Sequence, residues 1–243
     1  MVMQPNLTHT TPFLTLLRHQ TFTYTLPPSS TLLTSKTMTL VNPLSHIIKT
    51  DCVSLRLPAS TIAGLDDEAV LALFTRGFFG GWVFAIEGVM MRLGLYKIFS
   101  NKYSGFKSPR EDRLIWGMRN VPPRKLISLG DRIFGSFKHL DSHIDTCPTT
   151  GGSYVDFCFG SDTAIFGGCQ RFSIRHLDLS TKRQIESDET SMLKEEDEIE
   201  ISLEHFRCNP VKNEDSWAEL IPWVHYWYAR LLAADAVRSI LRR

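Results

Sequence analysis

The chain has 243 residues, a formal net charge of +1, and a composition that is 43% hydrophobic and 22% charged. These values are typical of one globular domain of ordinary size and argue against a disordered or fibrous chain. A net charge near zero provides no general attraction for phosphate backbones, so we expect no nucleic-acid partner. The five cysteines have an odd count and no CxxC spacing, which argues against a disulfide framework and a zinc ribbon.

The N-terminal segment differs in composition from the rest of the chain. The first 50 residues contain no Asp or Glu but many Ser and Thr, as organellar transit peptides do. We therefore predict a disordered or transit-like leader over residues 1–48 and a single domain over residues 49–243. A second reading is that Met38 is the true start. The expected location is the cytoplasm, or the mitochondrion if residues 1–37 are a transit segment.

The first predicted elements are a strand and a helix. Residues 52–57 alternate between apolar and polar side chains, which predicts a half-buried strand. Asp66 is a suitable N-cap for a first helix, and the segment 77–81, with its three glycines, is expected to end that helix. Phe78 and Phe79 lie among these glycines and are mainly expected to belong to the core. The alternative is that they form a mobile rim over a pocket.

Residues 78–96 form the only long apolar run and predict a second helix that belongs to the core. Its apolar residues recur at helical spacing: Trp82, Val83, Ile86, Val89, Met90 and Leu93. Glu87 interrupts the run, and the stretch between Arg76 and Arg92 is too short to cross a bilayer. Glu87 itself is expected to be a solvated charge beside the inward stripe.

The C-terminal half changes to short strands followed by one long helix, whereas residues 97–124 carry no clear pattern. The predicted strands are 126–134, 138–144, 154–159, 169–177 and 198–207. An acidic loop, 180–198, separates the last two strands. The last helix is expected to begin at residue 217 or 222 and to end at 241, which is long enough to cross a small sheet.

This order of elements resembles the helix-grip fold of the START-like superfamily, which includes polyketide cyclases, aromatases and lipid-transfer domains. The segments that resemble an uncharacterised START-like family are 129–132 (LGDR), 154–159 (YVDFCF), 228–232 (YARLL) and 237–241 (VRSIL). The chain departs from that family at residues 233–235, which read AAD instead of a Pro-Phe-His-like triplet. The resemblance implies an α+β fold in which an antiparallel sheet wraps around a long C-terminal helix.

Motifs for cofactor or metal chemistry are absent. The sequence has no GxGxxG after a strand, no P-loop, no HExxH and no GxSxG. We therefore expect no cofactor and no metal. A three-histidine metal site is conceivable but disfavoured, because no two histidines form a metal-ligand pair on one element.

Three polar side chains occupy inward positions of otherwise apolar stripes. His205 continues the face of Ile199, Ile201 and Leu203, and His225 and Tyr228 share a helical stripe with Leu232. We predict that His205, His225 and Tyr228 are catalytic, although each histidine could equally be a structural residue near an element end. The predicted substrate-binding residues are Gln170, His176, Phe172, Phe157, Phe78, Phe79, Trp82 and Leu232. Asp156, Arg171 and Glu204 point the other way and are expected to form outer-face ion pairs of little energetic weight.

The resemblance and the candidate residues together favour a cofactor-independent enzyme. It would bind an apolar small molecule and cyclise or isomerise a polyketide or terpenoid intermediate of secondary metabolism. A cyclase that uses a pericyclic (Diels–Alder-type) reaction is a special case of this prediction. The alternative is a non-catalytic protein that binds or transfers a lipid, quinone or sterol. A third alternative is a structural protein with a filled core. An enzyme requires that the polar residues converge, whereas a carrier requires only an apolar cavity.

Overall fold

A computed structural model describes residues 22–26, 28–98, 101–146, 152–177, 197–215 and 222–242. The fold is α+β, with eight strands in one open mixed sheet. The strands are β1 (Phe22–Thr25), β2 (Ile48–Pro58), β3 (Leu114–Ile115), β4 (Arg132–Ile133), β5 (Phe137–His143), β6 (Ser153–Gly160), β7 (Gly167–Leu177) and β8 (Glu198–Cys208). Their order across the sheet is β1-β2-β8-β7-β6-β5-β4-β3, and only the β3–β4 pair is parallel.

Five α-helices accompany the strands in the described part of the chain. They are α1 (Ser30–Leu33), α2 (Lys36–Val41), α3 (Asp67–Gly80), α4 (Ala85–Arg92) and α5 (Pro222–Leu241). Helix α3 packs against β6, β7 and α5 on one face of the sheet, which we call the inner face. Helix α2 packs against β5, β6 and β7 on the opposite, outer face. The sheet is therefore covered on both faces along its central strands.

Four of the five strands predicted in the C-terminal half are present and differ from expectation by only one or two residues at their ends, but the predicted strand 126–134 is wrong, because only Arg132–Ile133 is a strand there. Strand β2 extends well beyond the predicted residues 52–57 and pairs with β8 along its full length, from Ile48 opposite Cys208 to Pro58 opposite Glu198. Period-2 alternation sets which side chains face inward: positions 51, 53, 55 and 57 on β2 lie opposite 205, 203, 201 and 199 on β8. The predicted loop 180–198 and a helix start at 217 fall largely outside the described residues.

The inner core is built mainly from phenylalanines of α3, the central strands and β5. Phe78 and Phe79 are at most 2% exposed, and their rings contact those of Phe172, Phe84 and Phe157. The alternative of a mobile glycine-flanked rim is therefore wrong. Helix α3 starts where predicted, with the Asp66 carboxylate accepting from the Ala69 N–H, but it continues through Gly77 to Gly80.

Two glycines are needed because α5 approaches α3 closely. A Cβ at Gly77 would lie 2.7 Å from the Cα of Ala236, so the two helix backbones almost touch there. A Cβ at Gly81 would lie 2.1 Å from Oδ2 of the buried Asp235. That carboxylate also accepts from the Val83 N–H and so fixes the turn between α3 and α4. Asp235 thus links α5 to the turn between α3 and α4.

Helix α4 is oriented opposite to expectation. Ile86 and Leu93 are 73% and 83% exposed, and Val89 and Met90 are also exposed, whereas Gly88 and Met91 face the interior. The prediction of a core helix with that apolar stripe inward is wrong. Within the described residues no single helix has the length and apolar character to cross a bilayer; α3 and α4 meet that criterion only jointly, across a 71° bend.

Residues 28–48 fold onto the outer face of the sheet. Leu32 and Val41 are fully buried there against side chains of the central strands, among them Cys158 and Phe206. The Thr37 hydroxyl donates to Oδ2 of the buried Asp156 at 2.6 Å. The predicted leader boundary at residue 48 is therefore wrong for this segment, because its scattered apolar residues cover a sheet face that would otherwise be open. Residues 1–21 lie outside the described part of the chain.

Candidate active site

A carboxylate shared by two imidazoles lies at the end of the inner face. Asp51 on β2 and His205 on β8 are direct cross-strand partners, and their Oδ2 and Nδ1 atoms are 3.2 Å apart. His225, in the first turns of α5, brings its Nε2 to 2.8 Å from the same Oδ2. Asp51 is only 4% exposed, and the two imidazole rings lie 5.7 Å apart. Three elements distant in sequence thus converge on one oxygen atom.

The charge state of this cluster follows from its hydrogen bonds. Burial by itself would raise the pKa of the Asp51 carboxyl, but the hydrogen bonds and charges of His205 and His225 outweigh burial and hold that pKa well below its ordinary value. An ionised carboxylate can only accept, so both imidazoles donate to it. The second nitrogens, His205 Nε2 and His225 Nδ1, have no hydrogen-bond partner among the described residues.

A second acidic group lies across the cavity. The Tyr228 hydroxyl on α5 donates a very short hydrogen bond to Oε1 of Glu87 on α4. Burial raises the pKa of Glu87, and the Tyr228 hydrogen bond only partly offsets that effect. Burial and the neighbouring Glu87 also raise the pKa of Tyr228, so the tyrosine remains a proton donor. Glu87 is therefore a carboxyl held away from bulk water beside a neutral phenol.

These groups line a cavity of about 210 Å³ between α5 and the sheet. Its walls are Asp51, Glu87, Phe166, Gln170, Leu203, His205, Arg207, His225, Tyr228, Ala229 and Leu232. A neighbouring cavity of about 280 Å³ is mostly apolar and is lined by Glu87, Met90, Met91, Leu95, Ser136, Phe137, Phe159, Phe166 and Gln170. Glu87, Phe166 and Gln170 belong to both, so a polar compartment adjoins an apolar one.

The structure brings together some of the predicted site residues and separates others. His205, His225, Tyr228, Gln170 and Leu232 all line the polar compartment.

Phe157 and Phe172 are fully buried core residues that line neither cavity, and the same holds for Phe78 and Phe79. Their rings pack on one another and leave no space for a ligand. Trp82 is 56% exposed in the turn before α4. His176 sits at the far end of β7, where its Nε2 lies 2.9 Å from Oδ1 of Asp67. These six predicted binding positions are corrected.

Two residues of the site were not predicted as functional. Asp51 continues the alternation of Val53, Leu55 and Leu57 by one inward position, so extending the predicted strand would have found it. Glu87 was expected to be solvated, but α4 turns its apolar stripe outward and carries Glu87 in. That rotation depends on the contacts of Gly81, Val83 and Asp235, for which the sequence has no local signal.

Comparison with protein-family models, with curated proteins and with solved structures found no match. Function must therefore be argued from the site itself. The site offers a buried carboxyl that can exchange a proton, a neutral phenol, and a carboxylate that accepts from two imidazoles. Asp51, His205 and His225 are also the residues that could hold a metal ion, since one ligand atom from each lies within 4.8 Å of the others.

Proposed function

We propose that the chain is an enzyme that binds a small, largely apolar molecule and cyclises or isomerises it by proton transfer. The proposal rests on one observation: two separate acid–base groups, the Asp51–His205–His225 cluster and the Glu87–Tyr228 pair, face the same cavity beside an apolar compartment. A binding protein has no need of two such groups, because each buried polar group costs desolvation. An enzyme that moves protons does need them.

Glu87 is the group best suited to transfer a proton. A catalytic acid or base works best when its pKa lies near the operating pH, and burial moves the pKa of Glu87 in that direction. The Tyr228 hydroxyl orients the carboxyl and can donate to a substrate oxygen that becomes negatively charged. Glu87 would remove a proton from one substrate atom and return it to another, either directly or through Tyr228, whose donated proton Glu87 would replace across their hydrogen bond, so substrate and product have the same composition.

His205, His225 and Gln170 would hold the polar end of the substrate. The apolar compartment, with two methionines, a leucine and three phenylalanines, would hold its hydrocarbon part. Ligand pockets usually measure about 300–1,000 Å³, so cavities of about 210 and 280 Å³ favour a small member of the polyketide or terpenoid classes. The α+β architecture with a long C-terminal helix is compatible with a helix-grip protein, and we propose that assignment for the fold.

The alternative is a protein that binds or transfers a lipid, quinone or sterol without changing it. The observation in its favour is the second cavity, whose lining is mostly apolar. The two functions differ in what happens to the bound molecule: an isomerase or cyclase releases a molecule of equal mass with changed properties, whereas a carrier releases the molecule unchanged.

The test begins with native mass spectrometry of the full chain purified from its own host, to find a retained apolar ligand. Metabolite extracts are then incubated with the protein and followed by liquid chromatography and mass spectrometry. We expect one compound to decrease while a compound of equal mass and different retention time accumulates. Tyr228→Phe should keep the fold and slow this conversion by about 10²–10⁴-fold, the usual contribution of a positioned acid or base.

The matched control is Tyr154→Phe on the outer face, which removes a hydroxyl that is bonded to Asp141 and lines neither cavity. It should convert substrate at the wild-type rate. A ligand that is bound and released without chemical change would replace the enzyme proposal with the carrier. An equal loss of rate in both variants would mean that Tyr228 acts through stability alone.

A further inference from the structure

We infer that Asp51, His205 and His225 form a binding site for a divalent transition-metal ion such as Zn²⁺. The inference goes beyond the proposed function and does not depend on it, because a metal can bind whether or not the protein turns over a substrate. Two imidazoles and one carboxylate are a ligand set that suits Zn²⁺ and its first-row neighbours. The expectation of no metal rested on spacing within single elements, and here the ligands come from β2, β8 and α5.

The distances suit a shared metal. Zinc lies about 2.0–2.2 Å from its nitrogen and oxygen ligands, so ligand atoms in a tetrahedral site are about 3.3 Å apart. Oδ2 of Asp51 is 2.8 Å from Nε2 of His225 and 3.2 Å from Nδ1 of His205. One ligand atom from each residue falls within 4.8 Å of the others, so small side-chain rotations would complete the site.

Each imidazole can offer a lone pair to the metal ion through the nitrogen that now bonds Asp51. When an ion replaces the two hydrogen bonds, Nδ1 of His205 and Nε2 of His225 present lone pairs. The second nitrogen of each ring, which has no partner among the described residues, can then carry the ring proton. The ion would share the cavity with the carboxylates of Asp51 and Glu87 and with one cation, Arg207.

The fourth metal position would face the cavity. Catalytic zinc sites have three protein ligands and leave one position for water or substrate. Gln170 lies directly opposite His205 on β7 and lines the same cavity. Its buried Oε1 accepts no hydrogen bond among the described residues. A water on the metal would supply the missing donor, and when substrate displaced that water the ion could polarise a substrate oxygen.

The test uses the full chain, stripped with a chelator and dialysed, with ZnCl₂ alone as the probe. Isothermal titration should show one equivalent of Zn²⁺ per chain. His225→Ala should weaken binding by at least about 100-fold, because even the loss of an outer-shell partner costs about 10–100-fold. The matched control is His176→Ala, which removes a histidine from a second Asp–His pair, 2.9 Å long, that has only one imidazole.

Cobalt substitution reports the type of ligand atom directly, and a variant then links the spectrum to Asp51. Co²⁺ bound by nitrogen and oxygen gives weak visible bands, whereas bound thiolate adds an intense near-ultraviolet band. We expect the first spectrum from the wild-type protein, and its loss in Asp51→Asn. A thiolate spectrum, no saturable binding, or Zn²⁺ affinity that is equal in His225→Ala and His176→Ala would overturn the inference. Substrate conversion by fully stripped protein would overturn only a catalytic role of the ion and would leave the proposed enzyme intact.

Discussion

Both faces of the sheet bury a carboxylate, and the two are satisfied in different ways. On the outer face, Asp156 receives Nε and Nη2 of Arg171 at 2.7 Å each and the Thr37 hydroxyl at 2.6 Å. The guanidinium also stacks on the Tyr154 ring, 3.8 Å from its centroid. Burial alone would lower the pKa of Arg171, but Asp156 raises it above its ordinary value, so the guanidinium stays charged.

On the inner face, Asp51 is matched by two imidazoles whose second nitrogens lack partners in the described structure. A cavity opens beside them. The outer pair is bidentate, fixed and covered by α2, which is typical of a structural interaction. The inner cluster lines a cavity and has one ring nitrogen on each histidine that could bind a ligand, which is typical of a functional site. Burial of a charged group therefore does not distinguish a functional site from a structural one. Ring nitrogens that lack a hydrogen-bond partner in the described structure and lie beside a cavity do.

The largest effect should follow from breaking the outer pair. Asp156→Asn leaves the buried Arg171 charge without a counter-ion, and loss of one partner of a buried pair typically costs about 3–5 kcal/mol. We expect the free energy of unfolding in urea to fall by that amount. The measurement is the midpoint of the unfolding curve, with the slope unchanged.

The same substitution on the inner face sharpens the comparison. Asp51→Asn should cost about 1–3 kcal/mol, the range for a lost hydrogen-bond partner in a buried site. The reason is that imidazoles can lose their charge, whereas a guanidinium cannot. Equal costs on the two faces would mean that the inner cluster is as structural as the outer one.

An effect of similar size should follow from removing the hydrogen bond between the N-terminal segment and the outer pair. Thr37→Val keeps the side-chain shape on α2 but removes a hydrogen bond to a buried carboxylate, which is worth about 1–3 kcal/mol. Thermal unfolding should show a lower melting temperature. Thr39→Val, at an exposed position of the same helix, is the control and should unfold like the wild type. If both variants unfold like the wild type, residues 28–48 do not stabilise the outer face.

The smallest effect concerns Glu87 and depends on pH. Because burial raises its folded pKa, the folded protein holds the proton more tightly than the unfolded chain does. The free energy of unfolding should therefore fall as pH rises from about 4.3, the ordinary glutamate value, through the folded pKa. Glu87→Gln removes this titration and keeps an acceptor for Tyr228, so its stability relative to the wild type should increase over that window.

Urea unfolding at several pH values between about 4 and 8 measures this difference. The other ionisable groups that face Glu87 across the cavity, Asp51, His205, Arg207, His225 and Tyr228, are common to both proteins and cancel in the comparison. Glu111→Gln, at an exposed position, changes the net charge equally and serves as the control. Parallel curves for wild type and Glu87→Gln would mean that Glu87 is not held in a low-dielectric position.

Local patterns in the sequence determined much of the sheet and part of the site. Period-2 alternation identified β6, β7 and β8 and assigned Asp156 and Arg171 to the outer face. Helical spacing placed His225, Tyr228 and Leu232 on one side of α5. The direction of each stripe is a local property of its own element, whereas the meeting of those residues with His205 depends on how the fold places α5 against the sheet.

Tertiary structure decided everything that depends on what covers a face. The alternation of β6 and β7 shows which way Asp156 and Arg171 point, but their burial depends on α2, which packs there from a segment without a periodic pattern. The rotation of α4, which carries Glu87 inward and Ile86 outward, depends on the Asp235 carboxylate 148 positions away from Glu87 in the chain (235 − 87). Periodicity records the direction of a side chain relative to its own element, whereas burial and pKa depend on atoms that only the folded chain brings together.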